Sequence, residues 1–192
     1  KENMVVQSLK KNVSDGLKLF PYVRRNFTRI NWTLQEKLRY IKEGEVLFLD
    51  TITTLLLMLR FLPDMNLTVV TNSFPVMEEL YKNPKIQLHM ASGIYRKSTS
   101  DHWIIQLQNM YPDFIMQSFF GASAVDASFG ASATREIEAA VKRCVYANAE
   151  EGYLLADHTK FGKKIHKNND VSEYQLIFTD EELETEQKNK VI

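Results

Sequence analysis

The chain has 192 residues, 44% of them hydrophobic, enough to enclose one sizeable core, and its length favours a single domain. Lysine plus arginine equals aspartate plus glutamate at 24 each, so no overall positive field draws the chain onto phosphate backbones, and nucleic acid is not expected as its direct partner. A lone cysteine, Cys144, excludes an internal disulfide framework and a CxxC metal site, which fits a reducing compartment and makes a cytoplasmic protein the expectation. No apolar run approaches the roughly 18 residues of a membrane span, Leu55 to Leu62 being broken by Arg60 and stopped by Pro63, so a membrane is not expected as a partner.

In chain order, residues 1–43 read as an N-terminal helix and connector. Met4, Val5, Leu9, Val13 and Leu17 fit one helical face, and a polar, Arg-rich stretch follows from Tyr22 to Asn31. The start at Lys1, with no leader sequence, is read as a piece of a longer protein. Residues 44–192 read as one α/β domain, because short apolar runs alternate with capped or amphipathic stretches. Val46-Leu47-Phe48-Leu49 is long enough for a strand buried on both faces and too short for a helix; Thr51 to Thr54 then offer capping hydroxyls to a helix ending at Pro63-Asp64. The phrase repeats with a strand at Leu67–Val70, a turn at Thr71-Asn72-Ser73 and a helix from Pro75 to Tyr81. Further strands are predicted at Ile86–Met90, Phe114–Phe120, Tyr153–Ala156 and Gln175–Phe178, and helices at Asp101–Met110 and Thr134–Glu150.

Polar residues gather where the predicted strands end: Asp50, Thr51, Thr53 and Thr54, then Asn72, Ser92-Gly93, Gly121, and Asp157 to Lys160. In open α/β sheets ligands bind beyond the carboxyl ends of the strands, and hydroxyls, amides and one lysine suit a small phosphorylated polyol. Each residue also has a plainer reading: threonines as helix caps, Asn72 as a turn residue, Lys160 as a solvated loop charge. Glu138 and Lys142, four apart in the predicted long helix, read either as an exposed ion pair or as part of the site. Cys144 reads as a small core residue. The histidines at 89, 102, 158 and 166 show no metal-binding spacing, and no metal or cofactor is predicted.

Taken in order, Gly44-Glu45-Val46-Leu47-Phe48-Leu49-Asp50-Thr51-Ile52-Thr53-Thr54, Leu67 to Ser73, Ala91 to Arg96, Phe120-Gly121-Ala122, Glu138 to Arg143, Leu154 to Gly162 and Ile177 to Asp180 resemble the effector domain of the DeoR family of bacterial transcriptional repressors. The resemblance implies a three-layer αβα fold with a mostly parallel sheet, related to ribose-5-phosphate isomerase and glucosamine-6-phosphate deaminase, and used as a sensor without making or breaking bonds. It implies a phosphorylated sugar as effector and a homo-oligomeric regulator of carbohydrate genes. Operator DNA would be bound only by an N-terminal winged helix-turn-helix domain, for which nothing before Gly44 supplies a recognition helix or wing. Carried over by position, the effector residues are Asp50, Thr51, Thr53, Thr54, Asn72, Gly93, Arg96, Gly121 and Lys160. The chain departs from the family's usual Asp-Ser/Thr-Gly-Thr-Thr loop by having Ile52 where glycine would permit positive φ and close approach. It also places Ser100-Asp101-His102-Trp103 where small residues are usual, and its segment between Glu36-Lys37 and Gly44 is short.

Two enzymatic readings compete. A phosphohydrolase of the haloacid-dehalogenase type shares the order of Asp50, the Val69 to Ser73 strand end and Lys160, but needs a second carboxylate near position 52 and a late acidic pair, whereas Asp180-Glu181-Glu182 reads as a helix cap. A sugar-phosphate isomerase needs a carboxylate base, for which Glu138 is the candidate.

Overall fold

The apolar run after Gly44 forms strand β1 (Val46–Leu49), whose residues 47–49 are fully buried. The computed structural model describes residues 37–91, 93–96, 101–104 and 115–179. The predicted N-terminal helix and the acidic cap at 180–182 therefore lie outside the described residues. After β1 come helix α1 (Thr53–Met58), continued by a 3-10 turn (Leu59–Phe61), strand β2 (Leu67–Thr71), helix α2 (Phe74–Leu80) and strand β3 (Ile86–Met90). Ser73 accepts the Val76 N–H and Pro75 occupies the first turn, so α2 begins as its sequence predicts. Helix α1 does not: its N-cap is Ile52, not a threonine, and no side chain caps it.

Two further predictions are corrected. Residues Asp101–Ile104 are not the start of a helix but strand β5, paired antiparallel with β4 (Gly93–Arg96), so the strand preference of Trp103 and Ile104 prevails; residues 105–110 lie outside the described set. Strands β6 (Ile115–Gly121), β7 (Ala124–Asp126) and β8 (Gly130–Ala133) precede helix α3 (Glu136–Tyr146), which stops four residues before its predicted end. The Asn148 side chain donates to the Cys144 carbonyl at 2.7 Å, and Ala149-Glu150-Glu151, helix formers by themselves, enter strand β9 (Ala149–Leu155). Pairing with β6 and β11 (Leu176–Phe178) overrides their local preference. A short strand β10 (His166–Lys167) lies between β9 and β11 in sequence.

Six strands make one sheet in the order β11-β9-β6-β1-β2-β3, and every neighbouring pair is parallel. Successive strands run outward from β1 to β3 on one side and from β6 to β11 on the other. The connection reverses between β1 and β6, the place where such sheets open a crevice at their carboxyl ends. One core layer joins Leu47, Leu49, Val69, Phe119 and Leu155 to Leu55, Met58, Val76 and Leu80 of α1 and α2, and includes Leu38 and Ile41 from the segment before β1. The other joins Phe48, Val70, Phe120 and Leu154 to Val141 and Val145 of α3, with Phe161, Val171 and Tyr174. Cys144 packs against this second layer, as a small core residue would. A three-stranded antiparallel sheet, β10-β8-β7, lies against α3.

Candidate functional site at the strand switch point

Asp50 is the first residue beyond β1 and the first polar one after three buried apolar side chains. Its backbone N–H donates to the Phe119 carbonyl at 3.2 Å, which holds it against β6, and it is 2% exposed. A carboxylate so deeply buried requires donors. Oδ2 accepts the Gly121 backbone N–H at 2.9 Å and also pairs with the Lys142 ammonium, while Thr51 Oγ1 stands 3.5 Å from Oδ1. Lys142 is itself 7% exposed, so this is an ion pair withdrawn from water, not the exposed Glu138–Lys142 pair that four-residue spacing allowed. The signal was available in the sequence: Lys142 stands three residues from both Ala139 and Val145, inside the buried face of α3.

Around this pair, the ends of the neighbouring strands are fixed by specific bonds. Thr71 Oγ1 donates to the Leu49 carbonyl at 2.6 Å and accepts the Ser73 N–H at 3.0 Å, stitching the end of β2 to the end of β1. Asn72 follows directly, one residue past the Leu49–Thr71 partnership and hence beside Asp50 in the chain ends; it is 5% exposed and its Oδ1 accepts no hydrogen bond. Tyr174, on the α3 side of the sheet, stacks edge-on against Phe120 and Tyr146, and its buried hydroxyl also has no partner. Burial pushes the Tyr174 phenol well above the ordinary tyrosine range, with the negative charge of Asp50 adding to the effect.

Lys160 closes a 3-10 turn (His158–Lys160) after β9 and is half-buried. Asp157 is spent as the cap of that turn, accepting the Thr159 N–H at 3.0 Å and the Thr159 hydroxyl. The next residues anchor the turn: Phe161 is buried and forms a parallel bridge with Val125, and the Gly162 N–H donates to the Val125 carbonyl at 2.8 Å. Gly162 has φ 75°, the left-handed conformation that glycine takes without strain.

Of the sequence-predicted residues, Asp50, Asn72, Gly121 and Lys160 stand at the carboxyl ends of four consecutive strands, β2-β1-β6-β9. Thr51 and Thr54 are half-buried in the loop and first turn of α1, and Thr53 is exposed. Gly93 and Arg96 lie apart from the main sheet on β4, opposite Ile104 and Asp101 in register; their side chains fall outside the described residues. Lys142 is expected from the sequence only together with Glu138, as an exposed pair or as part of the site, and Tyr174 carries no signal in the sequence. Ile52 has φ −95° and ψ 144°, so the left-handed backbone feared for a β-branched residue is not required. Its effect is bulk. A Cβ built on Gly121 would lie 2.8 Å from Ile52 Cβ and 2.9 Å from its Cδ1, so only glycine at 121 lets Ile52 rest there. The second acid that the phosphohydrolase reading requires is thus replaced by a side chain packed on the backbone.

An open parallel sheet that gathers polar side chains at its switch point is the arrangement of a small-molecule-binding α/β domain. The DeoR C-terminal sensor domain matches residues 35–181, and the chain belongs to that family. It is 32% identical over 133 residues to the L-fucose operon activator of Escherichia coli (strain K12), covering 67% of this chain and 54% of that protein. It is 27% identical over 150 residues to the lactose phosphotransferase system repressor of Staphylococcus aureus, covering 74% and 59%. The chain thus spans little more than half the length of these relatives. The full-length sorbitol operon regulator SorC of Klebsiella pneumoniae aligns with a TM-score of 0.51 at 12% identity, covering all of this chain and 82% of that one, a likeness of fold. Among the described residues no helix is long and apolar enough to cross a membrane.

Proposed function

We propose that this domain senses a phosphorylated sugar for a transcriptional regulator of carbohydrate genes. The effector would bind where β2, β1, β6 and β9 end, against Asp50, Asn72, Gly121 and Lys160, with Thr51, Thr53, Thr54, Gly93 and Arg96 as further contacts. Binding there would change how a DNA-binding domain elsewhere in a homo-oligomeric, cytoplasmic full-length regulator holds its operator. The observation that carries the reading is that Asp50, Asn72, Gly121 and Lys160 stand at the carboxyl ends of four consecutive strands around the switch point, in a chain whose relatives regulate sugar operons.

The domain is read as a sensor and not an isomerase because the relatives it matches are an operon activator and a repressor of a sugar transport system. The test is a thermal-shift and calorimetric screen against ribose 5-phosphate, glucosamine 6-phosphate and glucose 6-phosphate. Stabilisation by one of them, lost in Lys160→Ala and unaccompanied by turnover, is the expected outcome. Silence across the panel at millimolar concentration refutes sensing, and isomerisation of any member refutes the sensor-only reading.

A further inference from the structure

The hydrogen-bonding capacity left over around Asp50 has a definite chemical pattern. The Lys142 ammonium carries three N–H donors, of which Asp50 Oδ2 accepts one. Among the described residues, Asp50 Oδ1 is met only by the Thr51 hydroxyl at 3.5 Å, beyond a good bond. Asn72 Oδ1 is an acceptor with no donor, and the Tyr174 hydroxyl is a donor and acceptor with neither, both in residues more than nine-tenths buried. Of the buried polar atoms left without a partner among the described residues, Asn72 Oδ1 belongs to the residue that follows β2 where Asp50 follows β1, and the Tyr174 hydroxyl lies close enough to feel the charge of Asp50. Together with the ion pair they suit a ligand that both gives and takes hydrogen bonds. A phosphate only accepts at neutral pH and would be repelled by Asp50. A hydroxyl does both.

We propose that Asp50, Lys142, Asn72 and Tyr174 form the hydroxyl-reading part of the effector site, with Lys142 as a specificity-determining residue. The proposal rests on the sugar-phosphate reading above and divides that site by chemistry. Neighbouring hydroxyls of a polyol donate to Asp50 Oδ1 and Asn72 Oδ1 and accept from the free Lys142 N–H groups and the Tyr174 hydroxyl. Lys160, two strands away from Asp50 along the sheet, reads the anionic end. The ion pair serves recognition by holding donor and acceptor side by side before the ligand arrives, so little side-chain freedom is lost on binding.

The experiment compares affinities for a hydroxyl-rich phosphate, glucose 6-phosphate or whichever sugar phosphate in the screen binds best, and for propyl phosphate, which has the charge without the hydroxyls. Wild type is expected to prefer the sugar phosphate at least tenfold. The isosteric, uncharged pair Asp50→Asn with Lys142→Met should lose most of that preference. Lys160→Ala should weaken both ligands by a similar factor and leave the ratio in place. Tyr174→Phe, which keeps the ion pair and the fold, should reduce the ratio several-fold and serves if the double variant does not fold. A ratio unchanged in the folded double variant, or in Tyr174→Phe, assigns the pair a purely structural role and overturns the proposal while leaving sugar-phosphate sensing intact. Failure of wild type to bind any of the phosphates removes both.

Discussion

The contact between Ile52 and Gly121 gives a quantitative test of how the switch point is packed. Gly121→Ala places a methyl group among three atoms of Ile52, two of them 2.8 and 2.9 Å away, and because Ile52 is β-branched its side chain is stiff at χ1 and cannot swing aside cheaply. Overpacking of this kind costs about 1–3 kcal/mol. Ile52→Gly removes a half-buried side chain that packs on the α1 and α2 core layer, a loss of about 1–2 kcal/mol, offset in small part because glycine is a better N-cap than isoleucine. In the double variant the three atoms nearest the new methyl are gone. Gly121 is not among the glycines with positive φ, so alanine is tolerated there by the backbone. Urea unfolding of the four proteins should therefore give a coupling of about 1–3 kcal/mol, Gly121→Ala being nearly neutral once position 52 is glycine. Additivity to within about 0.5 kcal/mol would show that the two residues do not compete for the same space.

Lys142→Met strands a buried Asp50 and should cost about 3–5 kcal/mol, whereas pairing it with Asp50→Asn should recover most of the loss; denaturant titration showing less than about 1 kcal/mol for the single change would mean water reaches the pair. Tyr174→Phe should be neutral or stabilising by up to about 1 kcal/mol at neutral pH, since it deletes a buried hydroxyl with no partner. Because burial raises the folded-state pKa of Tyr174, its protonated form supports the fold fully below about pH 10, the unfolded value, and that support is lost as pH rises toward the folded value. The phenylalanine variant should therefore lose less stability than wild type above about pH 10, and identical alkaline profiles by circular dichroism would exclude Tyr174 as a source of alkaline unfolding.

The parallel sheet was legible because its strands are buried on both faces, and runs such as Val46–Leu49 and Leu67–Val70 are then continuous in hydrophobicity. The small sheet was not. Gly130–Ala133 is all small residues and His166–Lys167 only two residues long, so neither carries a periodic signal, and both are held by pairing with segments far away in sequence. The same limit governed the site. Asp50, Asn72, Gly121 and Lys160 were visible as polar punctuation at strand ends, a local feature. The partner of Asp50 is 92 residues away on another element, and spacing along α3 offered Glu138 as a nearer match for Lys142. What identifies the true partner is the apolar company Lys142 keeps at Ala139, Val141 and Val145, since a lysine on a buried face must find an anion there.

Ile52 bears on function through the division of the site into charge-reading and hydroxyl-reading parts. Its side chain lies over Gly121, whose N–H is already committed to Asp50, so the residue closes the loop-side approach to the backbone there. Bulk at this point should oppose the phosphate end of an effector, which gains from close approach to backbone, more than the polyol end, which meets side chains. Ile52→Gly is then expected to tighten binding of the sugar phosphate and of propyl phosphate by a similar factor, leaving their ratio unchanged. A gain confined to the sugar phosphate would place the hydroxyls, and not the phosphate, beneath Ile52. No gain for either ligand would mean that the isoleucine is a settled part of the core and that Lys160 holds the phosphate away from this turn.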